Sequence, residues 1–289
     1  MTSKRSMTCQ ALLNNAVRRI ASETPRLDAE LLLAHVSGLS RSSFRAFPER
    51  EVDAQPAAEF ESLVAQRALG MPVAYLLGHQ EFWSLPLTVS SSTLIPRPDT
   101  ECLVEQALEL LLPDTARVVD LGTGTGAIAL ALASERPSWV ISACDLLDDA
   151  VALAQLNARQ LRLPVNVYQS SWFAGLPSAS FDLIVSNPPY VASDDHHLKE
   201  GDVRFEPSSA LVSGADGLDD IRRIVDEAPA WLSAEGWLLL EHGFDQAKAV
   251  RELFVDRGFA MVESRQDYGG NDRMTLGQWP RKKGALHAE

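Results

Sequence analysis

The chain has 289 residues, of which 46% are hydrophobic and 22% charged, and its formal net charge at pH 7 is −13. Proteins that bind naked DNA or RNA usually carry a basic face, so this charge argues against nucleic acid as a direct partner. The three cysteines, Cys9, Cys102 and Cys144, lack CxxC spacing, which argues against a disulfide framework and a zinc site. No signal peptide or membrane-length apolar run is recognisable, so we expect a cytoplasmic protein without a membrane partner or a metal.

The N-terminal region, residues 1–74, is predicted to form a small helical domain. Apolar side chains recur at helical spacing in 28–39, DAELLLAHVSGL, and in 57–70, AAEFESLVAQRALG. No catalytic cluster occurs in this region, so it either docks a substrate or only packs against the rest of the protein. Residues 75–98 combine alternating apolar residues with serines and prolines, which predicts a linking hairpin.

Residues 99–280 alternate between strand-like and helix-like segments, and Asp99 and Thr100 are predicted to cap the first helix. The predicted strands are 117–122, 139–145, 165–170, 181–186, 236–243, 261–267 and 273–279, and the later helices are 126–136, 148–161, 218–232 and 245–258. This alternation predicts an α/β fold with a mostly parallel sheet between helices, closed by a C-terminal antiparallel hairpin. Residues 281–289 are predicted to be a polar tail.

A glycine-rich loop, DLGTGTG, follows the first strand of this region at residues 120–126. Gly122, Gly124 and Gly126 allow a sharp turn and let a ligand approach the N–H groups at the start of the next helix. The pattern departs from the GxGxxG of dinucleotide enzymes. Asp120 beside the loop disfavours a pyrophosphate and suits a cofactor that carries an amine and a cation.

Two further residues follow strands at the same edge of the predicted sheet. Asp145 ends the second strand, where an acid typically hydrogen-bonds the hydroxyl groups of a ribose. Together with the glycine loop, Asp145 predicts a ribose-containing ligand. Trp172 follows the third strand, and its spacing fits core packing and a wall beside an adenine ring equally well.

The fourth strand ends in Asn187-Pro188-Pro189-Tyr190. The two prolines fix φ and cannot continue a ladder, so they stiffen the backbone and leave its carbonyls free. The Asn187 side-chain oxygen and the Pro188 carbonyl can accept both N–H groups of a planar NH₂, and Tyr190 offers a flat face. This arrangement predicts methyl transfer to a positioned nitrogen, with Asn187, Pro188 and Tyr190 as catalytic residues.

These motifs resemble known methyltransferases. The glycine loop and Asp145 are similar to the S-adenosylmethionine loop of class I methyltransferases, and Asn-Pro-Pro-Tyr is similar to the motif of enzymes that methylate planar nitrogens in DNA bases or in glutamine. Four segments resemble one branch, the peptide chain release factor glutamine methyltransferases. They are EFWSLPLTVSSSTLIPRPDTE (81–101), GDVRFEP (201–207), LLLEHG (238–243) and RQDYGGNDR (265–273). Gln266 departs from the family pattern, in which an arginine is expected.

The resemblance implies a Rossmann-like class I methyltransferase domain preceded by a helical bundle and a linking β-hairpin. It implies transfer of a methyl group from S-adenosylmethionine to the glutamine side-chain amide in the Gly-Gly-Gln motif of class I peptide chain release factors, modulating translation termination. The cofactor-binding residues that it implies are Gly122, Thr123, Gly124, Thr125, Gly126, Asp145, Trp172 and Asn187. The implied substrate-binding residues are Asn187, Pro188, Pro189 and Tyr190.

Two alternative functions stay open at this point. A DNA adenine or cytosine amino-methyltransferase shares the Asn-Pro-Pro-Tyr chemistry but requires a basic DNA-binding region, which is not visible. A non-catalytic cofactor-binding module is disfavoured because the motifs are intact. Arg97 could reach a cofactor carboxylate or brace the linker, and the sequence assigns no role to His196 and His197. Arg204 and Glu206 are predicted to form a structural ion pair.

Overall fold

A computed structural model describes residues 7–281, which fall into two units. The first unit contains residues 7–79 together with 196–205, and the second contains 80–195 and 206–281. Apart from Arg281, the predicted polar tail lies outside the described residues. None of the described helices is long and apolar enough to cross a lipid bilayer.

The first unit is built mainly of helices around its own apolar core. Its elements are β1 (Met7–Thr8), α1 (Cys9–Arg19), α2 (Pro25–Ser37), α3 (Arg41–Ala46), β2 (Glu51–Val52), α4 (Ala54–Ala68) and α5 (Val73–Leu77). The helices predicted within 28–39 and 57–70 are confirmed as α2 and α4. α2 ends at Gly38, whose φ of +67° is the left-handed conformation that closes many helices. Leu12, Leu32 and Phe60 are fully buried in the core.

The second unit begins with the predicted hairpin and continues with the α/β alternation. The hairpin strands are β3 (His79–Phe82) and β4 (Leu85–Thr88), followed by α6 (Asp99–Glu109), β5 (Arg117–Leu121), α7 (Ala127–Glu135), β6 (Val140–Asp145), α8 (Asp148–Leu161), β7 (Val165–Gln169), β8 (Phe181–Ser186), α9 (Asp219–Glu227), β9 (Leu232–Glu241), α10 (Ala247–Arg257), β10 (Ala260–Gln266) and β11 (Asp272–Gln278).

Strands β5 to β11 form one seven-stranded sheet in the order β10-β11-β9-β8-β5-β6-β7. β7, β6, β5, β8 and β9 run parallel, whereas β11 pairs antiparallel with both β9 and β10. The predicted parallel sheet with a C-terminal antiparallel hairpin is therefore confirmed. The chain order reverses between β5 and β8, which is where sheets of this kind bind ligands.

The central strands are buried on both faces. Val118 and Leu183 belong to one apolar core, while their sequence neighbours Val119 and Ile184 belong to the other. Because successive side chains of a strand point to opposite faces, a strand with a core on each side must be apolar throughout. This accounts for the continuous apolar runs in β5 and β8.

One predicted helix is too long. The helix predicted over 218–232 corresponds to α9, which ends at Glu227. Residues 228–230 form a 3₁₀ turn. Pro229 lies in this turn and has no N–H to continue the α-helical hydrogen bonds. The chain therefore leaves the helix early, and β9 begins at Leu232 rather than at Gly236.

Candidate functional site

A cavity of about 340 Å³ lies at the carboxyl edge of the sheet in the second unit. This volume is within the range of small-molecule sites. The predicted site residues that line it are Gly122, Thr123, Gly124, Thr125, Asp145, Trp172, Asn187 and Pro189. Gly126, Pro188 and Tyr190 are not among the lining residues. Thr93 and Arg97, from the segment between β4 and α6, and Thr100, in the first turn of α6, also line the cavity.

The glycine loop requires glycine for its conformation and its packing. Gly122, Gly124 and Gly126 have φ angles of +69°, +54° and +86°, which other residues rarely adopt. A Cβ on Gly126 would lie 3.1 Å from Leu130 Cδ1 and 3.3 Å from the Cβ of Ala154. The loop is therefore packed closely against both α7 and α8.

Asp145 is held at the cavity wall by two backbone donors. Its Oδ2 accepts the N–H of Gly124 at 2.9 Å, and its Oδ1 accepts the N–H of Leu147 at 3.1 Å. A carboxylate oxygen has two lone pairs, so each oxygen can accept one further hydrogen bond. The fixed carboxylate can therefore bind a pair of hydroxyl groups, which fits the expected ribose.

Asp120 supports the loop from inside instead of lining the cavity. Its Oδ2 accepts the Thr123 hydroxyl at 2.5 Å and the Ala129 N–H at 3.3 Å, and Oδ1 has no hydrogen-bond partner among residues 7–281. Complete burial raises the pKa of Asp120 to about 7, although the two hydrogen bonds oppose this rise. The expected direct role toward a cofactor amine is therefore not supported, because Asp120 acts as an internal acceptor for the loop.

The position of Trp172 is compatible with both of the roles predicted for it. Trp172 lines the cavity, and it also packs against the apolar core that contains Ile184. A Cβ on Gly122 would lie 3.3 Å from the Trp172 ring, so the glycine loop approaches this indole closely. The ring therefore forms a rigid cavity wall, suitable for contact with a flat heterocycle.

Asn187 is oriented by Thr100. The Asn187 Nδ2 donates to Thr100 Oγ1 at 3.2 Å, which leaves Oδ1 as the acceptor outside this bond. The prediction that Asp99 and Thr100 cap α6 is wrong, because α6 begins at Asp99 and has no side-chain cap. The Thr100 hydroxyl instead holds the amide of Asn187.

Glu241 is a buried acid behind the Asn-Pro-Pro-Tyr motif. It ends β9, is only 2% exposed, and accepts the Tyr190 hydroxyl on Oε1 at 3.3 Å. Burial raises its pKa to about 7, whereas a hydrogen bond from Thr100 and the charge of Arg273 oppose the rise. Glu241 thus contacts Tyr190 directly and Asn187 through Thr100. The sequence signal for this role is one acid at the end of the apolar run LLLEHG.

Asn157 ties the hairpin to the glycine loop. This residue of α8 is fully buried. Its Oδ1 accepts the Thr88 N–H at 2.8 Å, and its Nδ2 donates to the carbonyls of Thr88 at 3.0 Å and Thr125 at 2.9 Å. The Asn157 amide therefore fixes both the end of β4 and the glycine loop. The segment that lines the cavity continues from this end of β4.

Arg97 braces a buried acid at the cavity. Its Nη2 lies 2.6 Å from Glu206 Oε1, and the Glu206 side chain is fully buried. Arg204 donates to the Leu69 carbonyl at 2.9 Å, and its predicted pair with Glu206 stays a prediction.

Both units match known protein families. Residues 11–78 match the family model PrmC N-terminal domain, and residues 98–206 match the model Methyltransferase small domain. A methyltransferase of known structure from Pyrococcus furiosus superposes with a TM-score of 0.53 at 15% identity and covers 76% of this chain and 98% of its own. That similarity shows a methyltransferase fold.

Curated relatives identify the family. The Release factor glutamine methyltransferase of Pseudomonas aeruginosa is 60% identical over 259 residues, which cover 89% of this chain and 94% of the relative. The protein of the same name from Escherichia coli is 50% identical over 275 residues, which cover 94% and 99%. The chain therefore belongs to the release factor glutamine methyltransferase family.

Proposed function

We propose that the protein transfers a methyl group from S-adenosylmethionine to the side-chain amide of the glutamine in the Gly-Gly-Gln motif of class I peptide chain release factors. Asn187 carries this proposal, because its amide lines the cavity with the nitrogen bound to Thr100 and the oxygen left as an acceptor. In this function residues 1–74 dock the release factor, 75–98 link the domains and 99–280 perform the reaction.

The residues around the cavity fit S-adenosylmethionine. Asp145 has acceptor capacity for the ribose hydroxyl groups, Trp172 offers a wall for the adenine, and the backbone from Gly122 to Thr125 lies along the same cavity. When bound, S-adenosylmethionine supplies a methyl group whose C–S bond breaks as the N–C bond forms, with the electron pair retained by sulfur.

Asn187 and Pro188 are suited to hold the glutamine amide. The Asn187 Oδ1 and the Pro188 carbonyl would accept its two N–H groups and so aim the nitrogen. An amide nitrogen is a weak nucleophile, and two acceptors relieve the positive charge that develops on it during attack. Holding reactants in line can contribute up to about 7–11 kcal/mol, so a strong general base is not required. Once methylation has made the nitrogen acidic, it releases one proton to solvent water.

The rigidity of the motif supports this positioning role. The Tyr190 hydroxyl is bound to Glu241, and the Tyr190 carbonyl accepts Gln246 Nε2 at 3.0 Å. The two prolines restrict the backbone between Asn187 and Tyr190. The acceptors are therefore fixed before the substrate arrives, which lowers the cost of reaching the reactive geometry.

Methylation of a full-length class I release factor is the decisive test of the function. With S-adenosylmethionine present, the tryptic peptide that contains Gly-Gly-Gln is expected to gain the mass of one methyl group. The matched control is a release factor with asparagine in place of the motif glutamine, which should gain none. Duplex DNA is tested in parallel. An unmodified peptide would contradict the proposal, and methylated DNA would support the amino-methyltransferase alternative, which family membership does not favour.

Asn157→Asp is expected to weaken S-adenosylmethionine binding by about 10- to 100-fold. A carboxylate cannot donate to the Thr88 and Thr125 carbonyls, so two hydrogen bonds are lost. Each lost hydrogen bond contributes about 1 kcal/mol. Isothermal titration calorimetry measures this change. Gln160→Ala is the matched control, because it removes only an exposed bond from the Thr88 hydroxyl. Equal affinities of Asn157→Asp and wild type would show that the loop does not depend on this amide.

A further inference from the structure

The turn after β9, residues 243–246, lies beside the Asn-Pro-Pro-Tyr motif. β8 and β9 are parallel neighbours, with Ser186 paired to Leu240. Asn187 directly follows β8, and the turn follows β9 after Glu241. Because parallel strands end at the same edge of a sheet, both segments emerge next to one another.

The turn is held rigidly against the motif by one side chain. Gln246 Oε1 accepts the Gly243 N–H at 2.8 Å, while Gln246 Nε2 donates to the carbonyls of Tyr190 at 3.0 Å and Asp216 at 3.3 Å. Gly217 also packs closely here, because a Cβ on it would lie 2.2 Å from the Tyr190 carbonyl oxygen. Three loops therefore converge at Tyr190, and the Gln246 amide connects them.

This rigid turn presents an aromatic ring to solvent. Phe244 is 65% exposed, although Glu241 and His242 just before it are buried. Phe244 belongs to neither apolar core of the second unit. Single exposed apolar residues are common and need no explanation by themselves. An exposed aromatic ring on a hydrogen-bonded turn, beside the residues proposed to receive the substrate, is different, because aromatic anchors supply much of the energy of protein interfaces.

We propose that Phe244 is a docking contact for the release factor and binds the backbone of the segment that carries Gly-Gly-Gln. This inference rests on the proposed function. A glutamine held by Asn187 brings its two preceding glycines to this edge of the sheet. Glycines leave their peptide planes bare, so a flat ring can lie against them.

The charge around the turn fits the same partner. Asp245 follows Phe244 and is exposed, whereas the Asp216 carboxylate is ion-paired with Arg222, and the whole chain carries a formal charge of −13. An exposed acid next to an aromatic contact, on a chain of negative net charge, favours a partner segment with basic residues near its glycines and accelerates its encounter. A second copy of this chain is disfavoured at the same surface because two chains of the same net charge repel each other.

The test compares steady-state methylation of a full-length release factor by wild type and by Phe244→Ala. Loss of an aromatic anchor is expected to raise the KM for the release factor about ten-fold, with kcat and the affinity for S-adenosylmethionine unchanged. Phe244→Trp should restore the KM because it retains a flat ring. Met261→Ala is the matched control, since Met261 is 67% exposed on β10 and should leave every constant unchanged.

Three results would overturn the inference. The first is an unchanged KM in Phe244→Ala. The second is a weaker affinity of that variant for S-adenosylmethionine, which would indicate a structural defect. The third is a change of oligomeric state in sedimentation velocity, which would assign the ring to a second copy. Failure of the wild-type protein to methylate the release factor would instead overturn the proposed function. The two failures are therefore distinguishable in one set of measurements.

Discussion

Asn187→Ala is expected to lower kcat by about 100- to 1000-fold, the usual effect of removing one preorganised group that stabilises developing charge. The lost acceptor matters most in the transition state, when the attacked nitrogen becomes positive and its N–H bonds are most polar. The dissociation constant for S-adenosylmethionine should stay largely intact, because Gly124, Asp145 and Trp172 remain in place. Single-turnover methylation measures the first quantity and isothermal titration calorimetry the second.

Two control variants separate the acceptor from its orientation. Asn187→Asp keeps acceptor oxygens and should retain more activity than Asn187→Ala. Thr100→Val removes the hydroxyl that holds Asn187 Nδ2 and leaves the asparagine free to rotate, so it should reduce kcat less than Asn187→Ala. A near-normal kcat in Asn187→Ala would show that the two-acceptor arrangement is not how the amide is held.

The fold was largely predictable because its signals are local. Buried strands such as β8 are continuous apolar runs. Glycines that begin or end helices are adjacent to those helices in sequence, as Gly126 is to α7. The predicted boundary between α9 and β9 is wrong because the helical pattern of 218–232 runs on through Pro229. Deciding between an α-helix and a 3₁₀ turn there depends on packing against the sheet, which no short window of sequence contains.

The candidate site was only partly predictable for a related reason. The glycine loop, Asp145 and Asn187 each follow a strand, so topology alone places them at one edge. Residues that orient them come from far along the chain. Thr100 is 87 positions from Asn187, and Glu241 is 51 from Tyr190. A hydrogen bond between distant segments leaves no local pattern, so these residues could be found only once the sheet had brought their elements together.

Glu241→Gln is expected to change how stability depends on pH. Burial raises the pKa of Glu241 from 4.5 to about 7, so the folded protein favours the neutral acid. The stability from this group is fully present below pH 4.5 and is lost as pH rises through 7. Glutamine stays neutral, so the free energy of unfolding of the variant relative to wild type should rise by about 2.5 kcal/mol between pH 5 and 8. Urea unfolding of both proteins across this range measures the difference.

The comparison isolates Glu241 from the other buried acids. Asp120 also has a pKa raised to about 7 by burial, but it is present in both proteins and cancels in the difference. Asp99, Tyr190 and Arg273 contribute charge or hydrogen bonds around Glu241. A difference that stays flat from pH 5 to 8 would mean that Arg273 keeps Glu241 ionised in the folded protein.

Activity decides what Glu241 contributes beyond stability. Glutamine retains an acceptor for the Tyr190 hydroxyl, so Glu241→Gln should keep kcat close to wild type. Leucine removes that acceptor and leaves the buried hydroxyl unpaired, which costs about 1–3 kcal/mol and frees the motif to move. Glu241→Leu should therefore lower kcat while the affinity for S-adenosylmethionine holds. Equal turnover by the two variants would show that the Asn-Pro-Pro-Tyr backbone is rigid without its buried acid.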